Sequence, residues 1–414
     1  METNRREFVK AFSAMAAAGL FVTGMPWLKD LNAQDNMKTV KLGIIGPGSR
    51  GMLLLTHLKE VPGLEISCFC DDYEPHFERA AQFLGPEARG YRNYRDMLEK
   101  EQMDGVVIAT PLHEHSRMTV DALDAGLHVF CEKAMARTYE ECNDMVLARE
   151  RNDKILYIGL QRIFNAVTLQ AMKKIEAGEI GNVTQIRAFW HRNNDWRRNV
   201  PSPELERKIN WRLYHEYSCG LMTELASHHL QVGNWVFKDK PDYVMGSGSM
   251  NHWKDGREVY DNVNLVYHYP SGNHLLYDSM TSNKKYGKEI QAMGHKGTIE
   301  METGYIFEEN PPPAPGIVQL INNIEHSIFD SIPIGGTSWA PEDPSADKGS
   351  YLLKKLLEGD GTDVQMASFV SDIRNNRVDP WLTQQGFYGS IATLMGFEAM
   401  MNHRIETWPE GLAI

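Results

Sequence analysis

Gly46-Pro47-Gly48-Ser49-Arg50-Gly51 is a GxGxxG run placed between an apolar stretch (Val40 to Ile45) and an amphipathic one. There glycine permits a tight turn, a close backbone approach to a pyrophosphate and close packing of helix on strand. The helix start adds unpaired N–H groups and partial positive charge for the anion. Asp71, about 20 residues on, stands where a carboxylate holds both ribose hydroxyls of NAD. Asp72 and Tyr73 follow it, and neither is an arginine for the 2′-phosphate of NADP. The pattern implies a dinucleotide site that prefers NAD. Two other segments, Thr110-Pro111-Leu112-His113-Glu114-His115 and Cys131-Glu132-Lys133-Ala134, each follow a short apolar run. Farther on, Glu224 and His228 have the i, i+4 spacing that puts both on one helical face, able to address a single substrate. Trp190-His191-Arg192-Asn193-Asn194 and Asn210-Trp211-Arg212 combine aromatic and hydrogen-bonding groups suited to a pyranose.

These residues need a frame. Val40 to Ile45, Leu64 to Cys70, Gly105 to Ala109, His128 to Cys131 and Ile155 to Gly159 are short, apolar and often β-branched. Amphipathic segments lie between them: Arg50 to Glu60, Pro75 to Leu84, Ser116 to Ala125 and Tyr139 to Asn152. Such alternation implies right-handed βαβ units and a parallel sheet buried on both faces. Ligands bind outside the carboxyl ends of such strands, so the segments after Gly105–Ala109 and His128–Cys131 face the cofactor. From about Gln161 the pattern changes. A helix (Ala166 to Ala177), a strand (Val183 to Trp190) and a second helix (Leu221 to Trp235) come first. Strands at Asp242 to Met250, Asn262 to His268, His274 to Met280, Glu289 to Met293 and Thr298 to Met301 then follow without intervening helices. That succession predicts an α+β domain on an antiparallel or mixed open sheet. Asn310 to Pro344 reads as a surface excursion. Helices are expected at Ser350 to Leu357, Val364 to Asn375 and Gly389 to Asn402. The expected division is an export signal at 1–35, a Rossmann NAD-binding domain at 38–160, and a substrate and oligomerisation domain at 161–414.

The 414 residues carry 43 Lys and Arg against 55 Asp and Glu, a formal net charge of −12. That excess argues against nucleic-acid or anionic-membrane partners, which require clustered cations. Five scattered cysteines without a CxxC pair suit neither a disulfide framework nor a cysteine zinc site, and the histidines show no metal-ligand spacing. No metal is expected. At the N-terminus, Arg5-Arg6-Glu7-Phe8-Val9-Lys10 precedes an uncharged run from Ala11 to Met25. Paired arginines before a modest apolar run have the form of a twin-arginine export signal. The run is shorter than the ~20 residues of a membrane span. A periplasmic location is expected, with a cytoplasmic one as the alternative, and no membrane association of the mature form.

Taken together, Gly46–Gly51, Thr110-Pro111…His115, Glu132-Lys133, Gly159-Leu160-Gln161-Arg162 and Gly220…Glu224…His228 resemble the Gfo/Idh/MocA family of two-domain NAD(P)-dependent oxidoreductases. Ala134 replaces the proline of the family's Glu-Lys-Pro, and Glu224 stands where the family more often has Asp. The resemblance implies cofactor contacts from Gly46, Gly48, Ser49, Arg50, Gly51, Asp71, Thr110, Pro111, His115, Glu132, Lys133 and Gln161. It implies catalytic roles for His228 as acid/base, Lys133 on the substrate oxygen and Glu224 as orienter. Either Lys133 or His228 can be the principal base. Substrate contacts are expected from Arg162, Trp190, His191, Asn194, Trp211 and Arg212. The implied activity is hydride transfer at a hydroxyl carbon of a sugar, glycoside or cyclitol, in a possible homo-oligomer (dimer or tetramer). Two other readings stay open. One is an NAD-dependent glycosidase working by transient C3 oxidation and elimination, and the other a redox-inactive sugar or NAD(H)-binding protein. An exported enzyme has no free NAD pool to exchange with, so its cofactor would be tightly held and recycled internally.

Overall fold

The computed structural model describes residues 38–309, 349–352 and 359–413, with positions 320 and 323 between them. The export stretch, and the Asn310–Pro344 excursion apart from positions 320 and 323, therefore lie outside the described residues. The first unit is a six-stranded, all-parallel sheet in the order β3-β2-β1-β4-β5-β6. Its strands are β1 (Val40–Ile45), β2 (Leu64–Cys70), β3 (Arg89–Tyr91), β4 (Gly105–Ile108), β5 (His128–Cys131) and β6 (Leu156–Ile158). That is the doubly wound order whose chain reverses at β1/β4, and a ligand crevice opens there. Helices α1 (Ser49–Leu58), α2 (Glu74–Leu84), α3 (Tyr94–Lys100), α4 (His115–Asp124) and α5 (Tyr139–Asn152) supply the crossovers. Thr138 and Glu141 start α5 with a reciprocal capping box. Sequence patterning misses β3 and α3 because both are short. β3 is an exposed three-residue edge strand, and α3 has seven residues capped by Asn93.

After α6 (Ala166–Glu176) the chain builds a nine-stranded sheet, ordered β14-β13-β12-β11-β7-β10-β9-β8-β15. Its central strands are β7 (Val183–His191), β8 (Tyr243–Ser249), β9 (Asn262–His268), β10 (His274–Met280), β11 (Lys288–Gly294) and β12 (Gly297–Glu300). β7 and β10 run parallel, and the other pairings are antiparallel. Three short additions lengthen the edges: β13 (Tyr305–Glu308), β14 (Ser350–Tyr351) and β15 (Glu406–Thr407). The helix expected from Ser350 is corrected at its start, because Ser350 and Tyr351 pair with β13.

One helix, α7 (Ser227–Phe237), is entered through a π-helical turn at Met222–Ala226 and covers one face of the second sheet. The chain then returns to the first unit. α8 (Thr362–Arg374) packs on α1 and β1, where Arg374 donates to the carbonyls of Lys38 (3.0 Å) and Pro62 (2.8 Å). Phe369 meets the rings of Phe130 and Tyr157, and the Tyr157 hydroxyl donates to Asp372 at 2.6 Å. α9 (Pro380–Asn402) runs along α7, β8 and β6. The two sheets therefore share one continuous apolar core across their junction. No described helix is long and apolar enough to cross a membrane.

Candidate active site between the two sheets

Gly46 ends β1 with φ +81°, and a Cβ there would lie 2.9 Å from the amide nitrogen of Thr110. A Cβ at Gly51 would come within 2.4 Å of the Gly46 carbonyl, so α1 can sit this close to the turn only as glycine. Gly48 caps α1 without a side-chain hydrogen bond, and the first turn holds no acidic residue. Ser49, at the first helical position, is exposed. The N-terminal amides of α1 thus open onto the crevice with their partial positive charge uncancelled. Asp71, buried at the end of β2, accepts from the Tyr73 amide at 2.9 Å and faces His76 Nδ1 at 3.3 Å. This cradle fits a dinucleotide with a free ribose diol.

Two loops close around it. Pro111 leads a short 3-10 turn after β4, and the buried ring of His115 bridges the loops. Its Nδ1 lies 2.9 Å from the Ala134 carbonyl and its Nε2 3.0 Å from the Thr110 carbonyl. His115 thus ties the β4 and β5 loops together through both ring nitrogens, and Thr110 Oγ1 is left buried without a partner. The Lys133–Ala134 peptide is cis. Arg50 reaches from α1 to Glu132 (2.6 Å) and Thr362 (3.4 Å), and Gln161 donates to Asp360 at 2.7 Å. Asp360 and Thr362 come from the chain's return at α8, 199 residues beyond Gln161 in the first case and 312 beyond Arg50 in the second. No local signal marks them in the sequence.

Lys133 crosses from the first unit to the second. Its Nζ donates to the carbonyls of Thr223 (3.1 Å) and Glu224 (2.9 Å), with Glu224 Oε2 at 4.0 Å. Both carbonyls lie in the π-helical turn, whose altered spacing leaves acceptors free for a side chain. Arg212 Nε donates to Glu224 Oε2 at 2.7 Å, so one carboxylate serves two cations. Burial lowers the pKa of Lys133 despite Glu224 and Glu132 nearby. Glu224 is held below the usual carboxylate value: Lys133 and Arg212 outweigh its burial. His228 follows one turn later, 6% exposed, with Nδ1 unpartnered. Burial first, then Lys133, Arg162, His229 and Arg50, push it well below the ordinary histidine value. His228 is therefore a neutral imidazole near pH 7. An ammonium, a carboxylate and a neutral imidazole meet where the two units join.

The expected substrate residues divide. Trp190 packs against the rings of His228 (5.8 Å) and His229 (5.2 Å, nearly parallel), so one side of its indole is taken by protein. Arg162 is buried and paired with Glu302 at 2.8 Å. Arg212 lies over Trp211 at 4.2 Å while it binds Glu224. Asn194 is exposed and turns back to the Trp196 amide at 2.7 Å. His191 is a correction. The period-2 alternation of β7 sends Trp190 toward α7 and His191 to the opposite face of the sheet. There His191 pairs with Asp278 and lies against Phe189 and Tyr286. It cannot reach a ligand at His228. Glu302 and Lys288, paired at 2.6 Å, are neighbours of Trp190 that sequence reasoning missed. Among the described residues no cluster of His, Cys, Asp or Glu could hold a metal ion, and all five cysteines are buried.

Residues 40–160 match the oxidoreductase family with an NAD-binding Rossmann fold, Gfo/Idh/MocA, and residues 168–300 match that family's C-terminal domain. The inositol 2-dehydrogenase of Salmonella typhimurium is 30% identical over 274 residues, covering 64% of this chain and 74% of that protein. A glycosyl hydrolase family 109 protein from Shewanella pealeana is 26% identical over 238 residues, 52% of this chain and 51% of its own length. The structure of levoglucosan dehydrogenase in complex with NADH superposes with a TM-score of 0.69, at 18% identity, over 90% of this chain and all of that one. The chain belongs to the Gfo/Idh/MocA family, and its first domain is an NAD-binding Rossmann domain.

Proposed function

We propose that the protein is an NAD-dependent oxidoreductase acting on a hydroxyl carbon of a sugar, glycoside or cyclitol. The observation that carries this reading is Lys133, from the Rossmann β5 loop, bonded to the turn that leads into α7, one helical turn before the neutral His228. NAD, when bound, supplies the hydride acceptor. His228 can take the hydroxyl proton without first losing its own. Lys133 has three N–H donors; two are spent on the carbonyls of Thr223 and Glu224, leaving one for the substrate oxygen. Glu224, itself oriented by Arg212, holds that ammonium in place. The inositol and levoglucosan dehydrogenase relatives support the substrate class. To test the reading, the protein is purified without added cofactor and denatured, and the released nucleotide is identified. The folded enzyme is then assayed for NADH formation on a sugar and cyclitol panel. Neither bound nor bindable NAD would overturn it.

On the ribose side, Asp71→Ala should weaken NAD binding by roughly 10- to 100-fold, the scale of hydrogen bonds to a charged group, and narrow the gap to NADP. Fluorescence titration with both nucleotides checks this, and an unchanged ratio would take Asp71 off the ribose.

A redox-neutral glycosidase is the second reading, favoured by the family 109 relatives. It predicts aglycone release without net NADH accumulation. We also propose that Arg5 and Arg6 direct export of the folded, cofactor-loaded protein to the periplasm. Replacing both with Lys should leave precursor in the cytoplasm on fractionation, whereas unaltered delivery would exclude this route.

A further inference from the structure

Around the Trp190 indole the charges do not balance. Its ring centre lies 5.9 Å from the Arg162 guanidinium, 5.2 Å from that of Arg192 and 5.5 Å from the Lys288 ammonium. Lys133 and Arg212 stand on the neighbouring Glu224. Against these five cations, the carboxylates in ion-pair contact are two. Glu302 takes Arg162 and Lys288, and Glu224 takes Lys133 and Arg212. Arg192, over the Trp190 ring, makes no ion pair among the described residues. Arg162, 5% exposed, keeps a buried Nε without a hydrogen-bond partner. His228 and His229 add no negative charge, and the oxidised nicotinamide would add a positive one. The surplus is local, because the chain as a whole carries −12.

The cofactor's diphosphate does not account for Arg192. That anion belongs at the glycine turn after β1, whereas Arg192 follows β7 and its amide donates to the Met280 carbonyl inside the second sheet. Arg192 is exposed and so open to a solute, while Trp190 beside it is half-buried. A neutral sugar would offer only hydroxyls here and leave the surplus standing.

We propose that the substrate carries its own negative charge: a sugar with an anionic substituent that pairs with Arg192 beside Trp190 while the reacting hydroxyl meets Lys133 and His228. This rests on the oxidoreductase reading and narrows its substrate. The planar guanidinium fork suits a carboxylate, sulfate or phosphate, each of which presents two oxygens side by side. Uronates and sugar sulfates or phosphates share that chemistry.

The test uses the NAD-loaded enzyme and NADH absorbance. Aldoses are paired with their uronates, 6-sulfates and 6-phosphates, and kcat/KM is compared within each pair. At least one anionic class should exceed its neutral partner by about 10- to 100-fold, and added salt should shrink the margin. The class that does so names the substituent. Arg192→Met should bring the ratio close to one, whereas Arg192→Lys, which keeps the charge, should retain part of it. NAD titration of each variant establishes that it is folded. Neutral sugars oxidised as well as or better than their anionic partners would overturn this inference and leave the oxidoreductase reading intact. So would an Arg192→Met variant with an undiminished ratio. An NAD-loaded enzyme that oxidises no sugar of either kind would overturn both.

Discussion

His228→Ala should lower kcat by about 10² to 10⁴, the usual yield of general acid–base catalysis, while NAD affinity barely changes. The separation follows from geometry. The glycine turn and Asp71 belong to the first sheet, whereas His228 belongs to α7 over the second. Stopped-flow hydride transfer and nucleotide titration on the same variant check both halves. A near-wild-type rate would move the acid/base role to Lys133 or His229. The depressed pKa adds a pH expectation. His228 is neutral through the neutral range, so kcat/KM should show no ionisation of this residue between about pH 6.5 and 8. Stability should behave differently. In the unfolded chain these histidines bind protons near 6.5, whereas His115, His228 and His229 resist protonation in the fold. Below about pH 6.5 the unfolded state then binds more protons, so stability is lost progressively as pH falls beneath that value and is little changed above it. Urea midpoints at about pH 7.5 and 5.5 should show the fall, and His228→Ala should reduce it by removing one of the three groups.

Residue type and spacing made the centre of the candidate site legible in sequence. A glycine turn between strand and helix has few other uses, and residues after parallel strands must converge at one edge of the sheet. Hence Gly46 to Gly51, Asp71, Glu132 and Lys133 lie together in the fold. Glu224 and His228 were placed by helical spacing, but the π-helical turn between them was not legible. It is that turn which presents the Thr223 and Glu224 carbonyls to Lys133. His191 was legible in principle: once Trp190 faces α7, alternation turns the next side chain away. Asp360, Thr362 and Glu302 reach the site only through tertiary folding, and nothing in their local sequences says what they meet. The return of α8 onto α1 was hidden for the same reason. Its helical pattern shows that it packs, not what it packs on.

Lys133→Met should cut turnover on the scale of His228→Ala, but with a different signature. Lys133 sits on the Rossmann side, so losing its charge should shift NAD binding modestly as well. The loss also leaves Glu224 with Arg212 alone, and Glu224→Gln should then reproduce part of the effect by loosening the ammonium rather than removing it. The decisive measurement is the Lys133→Met/His228→Ala double variant. If both residues act on one oxygen, removing either already disables proton transfer there, and the double variant should lose far less than the product of the single losses. Their electrostatic coupling supports this: after burial, the Lys133 charge is the largest influence depressing His228. In Lys133→Met the imidazole should become easier to protonate, and the acid limb of kcat/KM should move up in pH. Fully multiplicative losses with an unmoved acid limb would mean that the two groups serve different atoms. The ammonium would then belong with the cofactor and the imidazole alone with the hydroxyl.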